Sequence, residues 1–206
     1  MKPARDSHGR TAIFCAALSL AAAFAMWSRA GARQSAVLPH PASIVKTQTY
    51  VSTEPAPRGQ TVDAAVAIEI ADGFHMNSHK PSEDYLIPTT LTVDPPTGIR
   101  VLDETYPAGE LKRFSFSKDK PLDVYTGSVT LRLKLAVDEK ATLGAMSIPA
   151  TLRYQACNDN ACLPPVKLPV VLRVNVVAAG TSVHHIHPEI FRANPAKPSA
   201  AASKKP

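Results

Sequence analysis

The chain has 206 residues, and 23 Lys and Arg against 17 Asp and Glu give it a formal net charge of +6. This length predicts one domain with tails, because single domains usually run to roughly 100–200 residues. The sequence contains no basic stripe with interleaved aromatic residues, which argues against nucleic acid as a partner.

The N-terminal segment, residues 1–32, has the composition of an export signal. Three basic residues stand ahead of an uncharged apolar run, TAIFCAALSLAAAFAMWS, and an A-G-A step at residues 30–32 follows. A positive start, an apolar stretch and small residues at a cleavage point are the parts of a secretory signal. The run also approaches the roughly 20 residues of a membrane span. We expect these residues to be a signal peptide that is cleaved. The alternative is an uncleaved N-terminal anchor, and only in that case would the chain be attached to a membrane.

The segments on either side of the predicted domain are rich in proline and poor in apolar residues. Residues 33–46 are expected to be a linker, and residues 178–206 a disordered tail, because so few apolar side chains cannot offset the entropy of ordering. The folded domain is then residues 47–177. Four basic residues and one acidic residue lie in the leader, so residues 33–206 keep a net charge of +3, which is ordinary for a soluble domain.

Within residues 47–177 the apolar residues recur with a period of two. This alternation is typical of antiparallel strands with one face on a core and one in water. Turn residues separate the strands, and outside the leader no window shows the 3.6-residue apolar period of a regular helix. The pattern predicts an all-β fold, an immunoglobulin-like antiparallel β-sandwich. The clearest alternating runs are 62–70, 129–137, 148–154 and 166–177.

Export would place Cys157 and Cys162 in an oxidising compartment, where cysteine pairs form disulfides. The polar residues 158–160 predict a turn between two strands, and a hairpin there brings the two cysteines opposite each other. One interpretation is a structural staple, although a loop of about six residues contributes only about 2 kcal/mol in the chain-entropy model. The other is thiol–disulfide exchange, which requires an accessible sulfur. The spacing of the cysteines leaves both open.

Several motifs, taken together and in order, resemble one known family. They are YQACNDNACLPP at residues 154–165, GFHMN at 73–77, YLIPT at 85–89 and VYTG at 124–127. This combination is similar to the N-terminal periplasmic domain of the transmembrane disulfide reductase DsbD, over about residues 58–177. The resemblance implies an immunoglobulin-like fold, in agreement with the strand pattern.

The resemblance implies a periplasmic relay of reducing equivalents, acting as a protein-disulfide reductase component without a cofactor or metal. A thioredoxin-like reductant protein would reduce the domain, which would then reduce periplasmic disulfide-containing proteins. By the same resemblance Cys162 forms the mixed disulfide with partners and Cys157 resolves it. The chain has neither a polytopic membrane region nor a thioredoxin-like C-x-x-C, so we expect its reductant to be another protein.

Five residues are candidate neighbours of the cysteine pair: His75, Asn77, Phe116, Tyr125 and Asp159. A histidine beside the pair can hold a thiolate, because a nearby cation lowers the thiol pKa; the alternative is a solvent-facing strand histidine. Asp159 either tunes the pair or makes the turn. Tyr125 lies either in the core or in the site.

In the family, a mobile cap loop bearing an aromatic residue often shields the cysteines. Residues 116–121 occupy the equivalent position and have no aromatic residue at the expected tip, unless a shifted alignment puts Phe114 or Phe116 there. Cap gating is therefore an open question from the sequence.

Two other functions remain as alternatives. In the first, the chain is a non-enzymatic immunoglobulin-like interaction module with an inert disulfide. In the second, it is a metal carrier that binds the metal through the thiols together with His75 or with the histidines of residues 184–187. For those tail histidines we prefer weak adventitious affinity over a functional site, because the tail is expected to be flexible.

Overall fold

The structure is a computed structural model that describes residues 39–117 and 120–192. The predicted leader, residues 1–32, and the end of the expected tail, residues 193–206, lie outside the described residues. A short 3-10 turn at Pro41–Ser43 opens the described part. The strands that follow are β1 (Val45–Val51), β2 (Thr53–Glu54), β3 (Ala56–Pro57), β4 (Thr61–Ile70), β5 (His75–Asn77), β6 (Thr90–Val93), β7 (Ile99–Thr105), β8 (Glu110–Lys112), β9 (Leu122–Tyr125), β10 (Ser128–Val137), β11 (Gly144–Tyr154), β12 (Ala156–Cys157), β13 (Val166–Val177) and β14 (His184–His185), and helix α1 (Pro188–Phe191) comes last.

Two four-stranded sheets form the sandwich, with strand orders β1-β4-β10-β7 and β3-β13-β11-β6. Their long strands pair antiparallel, and the short β3 joins β13 in parallel. The prediction of an all-β antiparallel sandwich is confirmed.

The alternation predicted for the long strands is the burial pattern that they show. Apolar side chains of β4, β10, β11 and β13 point inward from both sheets and form one continuous core. Burial of such side chains contributes about 25 cal/mol per Å² of apolar surface, which makes this core the main source of stability. Examples from the four strands are Ile68, Leu131, Ile148 and Leu172, each with no exposed surface.

A third, smaller sheet with the order β12-β5-β9-β8 presents the cysteines. Its strands are only two to four residues long and connect to the large sheets through turns. One of these turns enters β5 at Gly73, whose φ of 77° is a left-handed conformation that glycine adopts without steric cost. Leu86, Leu122 and Val124 form a separate apolar cluster under this sheet.

The ordered fold extends beyond residues 47–177 at its N-terminal end. Ile44 and Val45 are buried, β1 starts at Val45 opposite Ile70, and the Tyr154 hydroxyl donates a hydrogen bond to the Pro41 carbonyl at 3.1 Å. Residues 41–46, expected to be linker, are therefore part of the sandwich. The physical reason is that Val45 begins the inward row of the first strand, and that Ile44, just before it, is buried in the same core.

The fold also continues past residue 177, where a disordered tail was expected. Strand β14 pairs with β2, and Arg132 donates a hydrogen bond to the Ile190 carbonyl at 2.7 Å. The ring of His187 packs edge-on against Tyr50, with 4.9 Å between centroids. Residues 178–192 thus follow a defined course, held by backbone pairing and side-chain contacts rather than by apolar burial.

Candidate functional site

The site is centred on a disulfide between Cys157 and Cys162, with 2.05 Å between the sulfurs and 3.9 Å between the Cα atoms. The Cα atoms are closer than the roughly 4.4–6.8 Å that is usual for a disulfide. The two residues face each other as an isolated antiparallel bridge, which the predicted hairpin requires. On either side of it, the amide of Leu163 donates to the Ala156 carbonyl at 2.8 Å, and the amide of Asn158 donates to the Ala161 carbonyl at 2.9 Å.

The turn between the cysteines is made by Asn158. Its side-chain oxygen accepts hydrogen bonds from the amides of Asn160 and Ala161, both at 2.9 Å. Asparagine favours such turns because its side chain accepts hydrogen bonds from backbone N–H groups that have no other partner in a tight loop. Asp159, the expected turn residue, is exposed at the tip and offers its carbonyl to a neighbouring segment. The turn role predicted for Asp159 therefore belongs to Asn158.

The two cysteines differ in their access to solvent. Cys157 lies on β12 and is 1% exposed, whereas Cys162, on the returning side of the loop, is exposed. Exchange requires an incoming thiolate to approach one sulfur along the disulfide axis. The folded protein offers Cys162 for that approach and shields Cys157.

His75 lies directly across from Cys157, as its paired residue on the neighbouring strand β5. The side chain is 3% exposed, and its Nε2 has no hydrogen-bond partner within the part of the chain that is described. Burial lowers the pKa of His75 to about 4. The negative charge of Asp159 opposes this shift by raising the pKa, and the positive charge of Lys112 lowers the pKa further. At neutral pH the ring is uncharged. His75 is therefore not the solvent-facing histidine considered from the sequence, and in this disulfide form its ring is not a cation.

An aromatic segment, residues 113–117, lies over His75; we call it the cap segment. The ring of Phe114 stacks on the ring of His75 with 4.0 Å between centroids, and Phe116 stacks on Phe114 at 5.4 Å. The Ser115 hydroxyl donates to the Asp159 carbonyl at 2.9 Å, which ties the cap segment to the cysteine loop. The inner ring is Phe114, which also packs against the cluster around Leu86.

Phe116, the predicted neighbour in this segment, is the outer ring and is 40% exposed. The sequence offered Phe114 and Phe116 only under a shifted alignment, and of the two it is Phe114 that takes the inner position. The signal that could have found it is the pair of aromatic residues at positions 114 and 116, whose rings stack across a turn closed by the Ser117 amide donating to the Phe114 carbonyl at 3.0 Å.

Asn77 and Tyr125 have structural roles. Asn77 is buried; its side-chain amide donates to the Ile87 carbonyl at 3.0 Å, and its own carbonyl accepts from the Thr89 hydroxyl at 2.6 Å. Tyr125 pairs with Met76 and joins the main core, while its hydroxyl donates to the Pro107 carbonyl at 2.9 Å. Successive strand residues face opposite sides, so Tyr125 lies on the face away from His75 and Cys157. The sequence left Tyr125 either in the core or in the site, and the structure places its side chain in the core.

His79, a further histidine of the same region, is half-buried. Its ring stacks on Tyr106 with 3.6 Å between centroids, and its Nδ1 is 3.1 Å from the Thr89 carbonyl. Across residues 39–117 and 120–192, no group of three or more His, Cys, Asp or Glu side chains is arranged to hold a metal ion. The helix in those same ranges is too short and too polar to cross a membrane.

Comparisons with known proteins bear on this geometry. A sequence-family model for the N-terminal part of thiol:disulfide interchange protein DsbD matches residues 42–172. Curated proteins yield no match. The fold is similar to the reduced DsbD N-terminal domain of Neisseria meningitidis, with 23% identity, a TM-score of 0.39 and coverage of 72% of this chain and 94% of that chain.

Two further solved structures are similar in fold. The N-terminal periplasmic domain of ScsB from Proteus mirabilis is 13% identical with a TM-score of 0.44, over 67% of this chain and 49% of that chain. The seventh ScaB type I cohesin of Pseudobacteroides cellulosolvens is 11% identical with a TM-score of 0.36, over 68% and 98%. On the family match, which spans more than half of its length, this chain belongs to the DsbD N-terminal domain family.

Proposed function

We propose that this chain is a periplasmic thiol–disulfide interchange domain that passes reducing equivalents to protein disulfides through Cys162 and Cys157. The observation that supports it best is the unequal exposure of one bonded pair: Cys162 is open and Cys157 is 1% exposed. An inert staple has no need of this asymmetry, whereas exchange needs one sulfur for the partner and one for resolution. Membership of the DsbD N-terminal family supports the same chemistry.

The reaction proceeds in two exchanges. In the dithiol form the Cys162 thiolate attacks a partner disulfide, forms a mixed disulfide and releases the first partner thiolate. Cys157 then attacks the Cys162 sulfur, restores the Cys157–Cys162 bond and releases the second partner thiolate. Two electrons move to the partner, so a thioredoxin-like dithiol protein must return the domain to its reduced form.

The cap segment is proposed to restrict access to Cys157, the shielded member of the pair. Phe114 covers His75, and Ser115 bonds to the loop that carries both cysteines, so displacing the segment would loosen that loop. Lys120 of the same connection forms an ion pair with Glu83 at 2.9 Å on the exposed surface. Exposed pairs of this kind contribute little, about 0–1 kcal/mol, so the aromatic stack is the main contact that holds the cap segment over His75.

Trapping of mixed disulfides in the exported compartment tests the proposal. A Cys157→Ala variant keeps the attacking sulfur and lacks the resolving one, so we expect it to accumulate adducts with thioredoxin-like and disulfide-containing proteins. The matched control is Cys162→Ala, which removes the exposed sulfur and should trap few or none. Equal trapping by both variants, or by neither, would contradict the assignment and leave the staple or the metal carrier as the better function.

A further inference from the structure

The cysteine loop, residues 157–162, is held closed by hydrogen bonds that do not involve either sulfur. On one side of the disulfide the Leu163 amide donates to the Ala156 carbonyl at 2.8 Å. On the other side the Asn158 amide donates to the Ala161 carbonyl at 2.9 Å. Both bonds join backbone groups, so opening the disulfide removes neither of them.

The side chain of Asn158 adds two more hydrogen bonds inside the loop. Its Oδ1 accepts from the amides of Asn160 and Ala161, both at 2.9 Å. One further bond comes from outside, where the Ser115 hydroxyl of the cap segment donates to the Asp159 carbonyl at 2.9 Å. That bond depends on the cap segment staying in place, whereas the bonds of Asn158 belong to the loop itself.

Burial holds the two ends of the loop but not its middle. Cys157 is 1% exposed, and Leu163, just past the loop, is 5% exposed. Residues 159–162 between them, Cys162 included, are all exposed. Because apolar burial does not fix this stretch, its course depends on the hydrogen bonds that Asn158 accepts and donates.

The disulfide and dithiol forms differ in what keeps the loop closed. In the disulfide form the S–S bond joins the two ends covalently. In the dithiol form this link is absent, and the loop opens unless other contacts prevent it. Bringing two free groups together costs entropy, whereas groups already held in place react with effective molarities far above the concentrations of free thiols. The hydrogen bonds of Asn158 are the contacts that can hold the two thiols in place.

We propose that Asn158 is a positioning residue that keeps Cys162 beside Cys157 after the disulfide opens, a role that rests on the function proposed above. By raising the effective molarity of the pair, Asn158 favours the disulfide over the dithiol. The reduced domain therefore gives its two electrons more readily to a partner disulfide. The same positioning speeds the resolving step that releases the partner.

The bond changes of the resolving step take place among three sulfurs. Cys157 loses its proton to solvent base, and its sulfur attacks the Cys162 sulfur. The Cys157–Cys162 bond forms, the bond between Cys162 and the partner breaks, and the electron pair leaves on the partner sulfur, which takes up a proton from solvent. Asn158 takes no part in these bond changes and acts through the position of the loop backbone.

Equilibrium with glutathione measures the effective molarity of the pair. The chain carrying Cys15→Ser keeps Cys157 and Cys162 as its two thiols. It is equilibrated at neutral pH with reduced and oxidised glutathione at several ratios, quenched in acid and alkylated. Mass spectrometry then gives the amounts of the dithiol, the closed disulfide and the glutathione mixed disulfide in each sample. The effective molarity is the concentration of reduced glutathione multiplied by the ratio of closed to mixed disulfide.

The test variant is Asn158→Ala, which removes the acceptor of two hydrogen bonds. One intramolecular hydrogen bond of this kind changes an equilibrium roughly fivefold, and part of the loss is offset by the backbone bonds that remain. We expect the effective molarity to fall about fivefold. For a two-electron couple this is a shift of the reduction potential by about 20 mV toward the dithiol form.

Two further variants identify the cause of the change. Asn158→Asp keeps an acceptor oxygen and a residue type that favours the same turn, so its effective molarity should stay within about twofold of the wild-type value. Asn160→Ala is the matched control, because it removes an exposed amide from the same loop whose side chain makes no hydrogen bond to another described residue. It should keep the wild-type value. An equal fall in both Asn158 variants, or a wild-type value in Asn158→Ala, would overturn the proposal.

The same measurement separates positioning from a role in folding alone. A residue that only stabilised the fold would contribute equally to the disulfide and dithiol forms, and its loss would leave the effective molarity unchanged. Failure of the proposed function gives a different result, since the wild-type pair would then not exchange with glutathione at any ratio. Normal exchange with an unchanged effective molarity in Asn158→Ala removes only the role of Asn158.

Discussion

The burial of His75 predicts a specific loss of stability in acid. In the unfolded chain the imidazole has its ordinary pKa of 6.5, and in the folded disulfide form burial lowers this pKa to about 4. Between these pH values the unfolded chain binds the proton more readily, so stability falls as the pH drops through this window. The loss attributable to His75 is about 2 kcal/mol at pH 5 and about 3 kcal/mol at pH 4, at about 1.4 kcal/mol per pKa unit.

The measurement is urea unfolding of the oxidised protein, followed by far-UV circular dichroism at several pH values, for wild type and His75→Phe. The variant has no group to protonate at this position, so its free energy of unfolding should fall less on acidification, by about 3 kcal/mol between neutral pH and pH 4. Any constant offset between the proteins at neutral pH reflects packing and does not enter the comparison. Parallel curves for the two proteins would refute the burial argument.

Three more predictions concern the loop, the cap segment and the close approach of side chains to Gly109. Reducing the disulfide, or replacing both cysteines by alanine, should lower the free energy of unfolding by only about 2 kcal/mol in urea titrations, since the loop is short; a much larger loss would favour the staple. Phe114→Ala should speed alkylation of Cys157 in the reduced protein severalfold, because Phe114 covers His75 directly across from Cys157, whereas the exposed control Leu143→Ala should not; equal rates would remove the cap role. Gly109→Ala should cost about 1–3 kcal/mol in thermal unfolding, because its Cβ would lie 1.7 Å from the Asp123 Oδ1; an unchanged Tm would contradict that contact.

The sandwich could be predicted from the sequence because each long strand shows the alternation of apolar and polar residues that is typical of a half-buried strand. In β10, for example, Leu131, Leu133 and Leu135 alternate with polar neighbours, and all three are buried as that alternation requires. The small sheet at the site gives no such signal. His75, Met76 and Asn77 of β5 are all buried, so this strand has no alternation of buried and exposed residues. Neither an apolar period in the sequence nor the polar character of the side chains therefore indicated that His75 and Asn77 lie inside.

The ends of the fold show a second limit of sequence reasoning. Composition measures how much apolar surface a segment can bury, and by that measure residues 178–192 have little reason to be ordered. They are held by backbone pairing of β14 with β2 and by single contacts such as Arg132 to Ile190, which depend on a partner distant in sequence. The cysteine pair was predictable because its two members are close in the chain. The stack of Phe114 on His75 joins segments about 40 residues apart, and no local pattern announces it.

The central claim is that the Cys157–Cys162 bond is a working exchange site with Cys162 as the open sulfur. The most direct measurement incubates the oxidised, folded protein with reduced thioredoxin and reads both thiols by alkylation and mass spectrometry. We predict that the pair is reduced, is reoxidised by a partner disulfide, and forms its mixed disulfide on Cys162. A disulfide that stayed closed under a large excess of reduced thioredoxin in the folded protein would contradict the account.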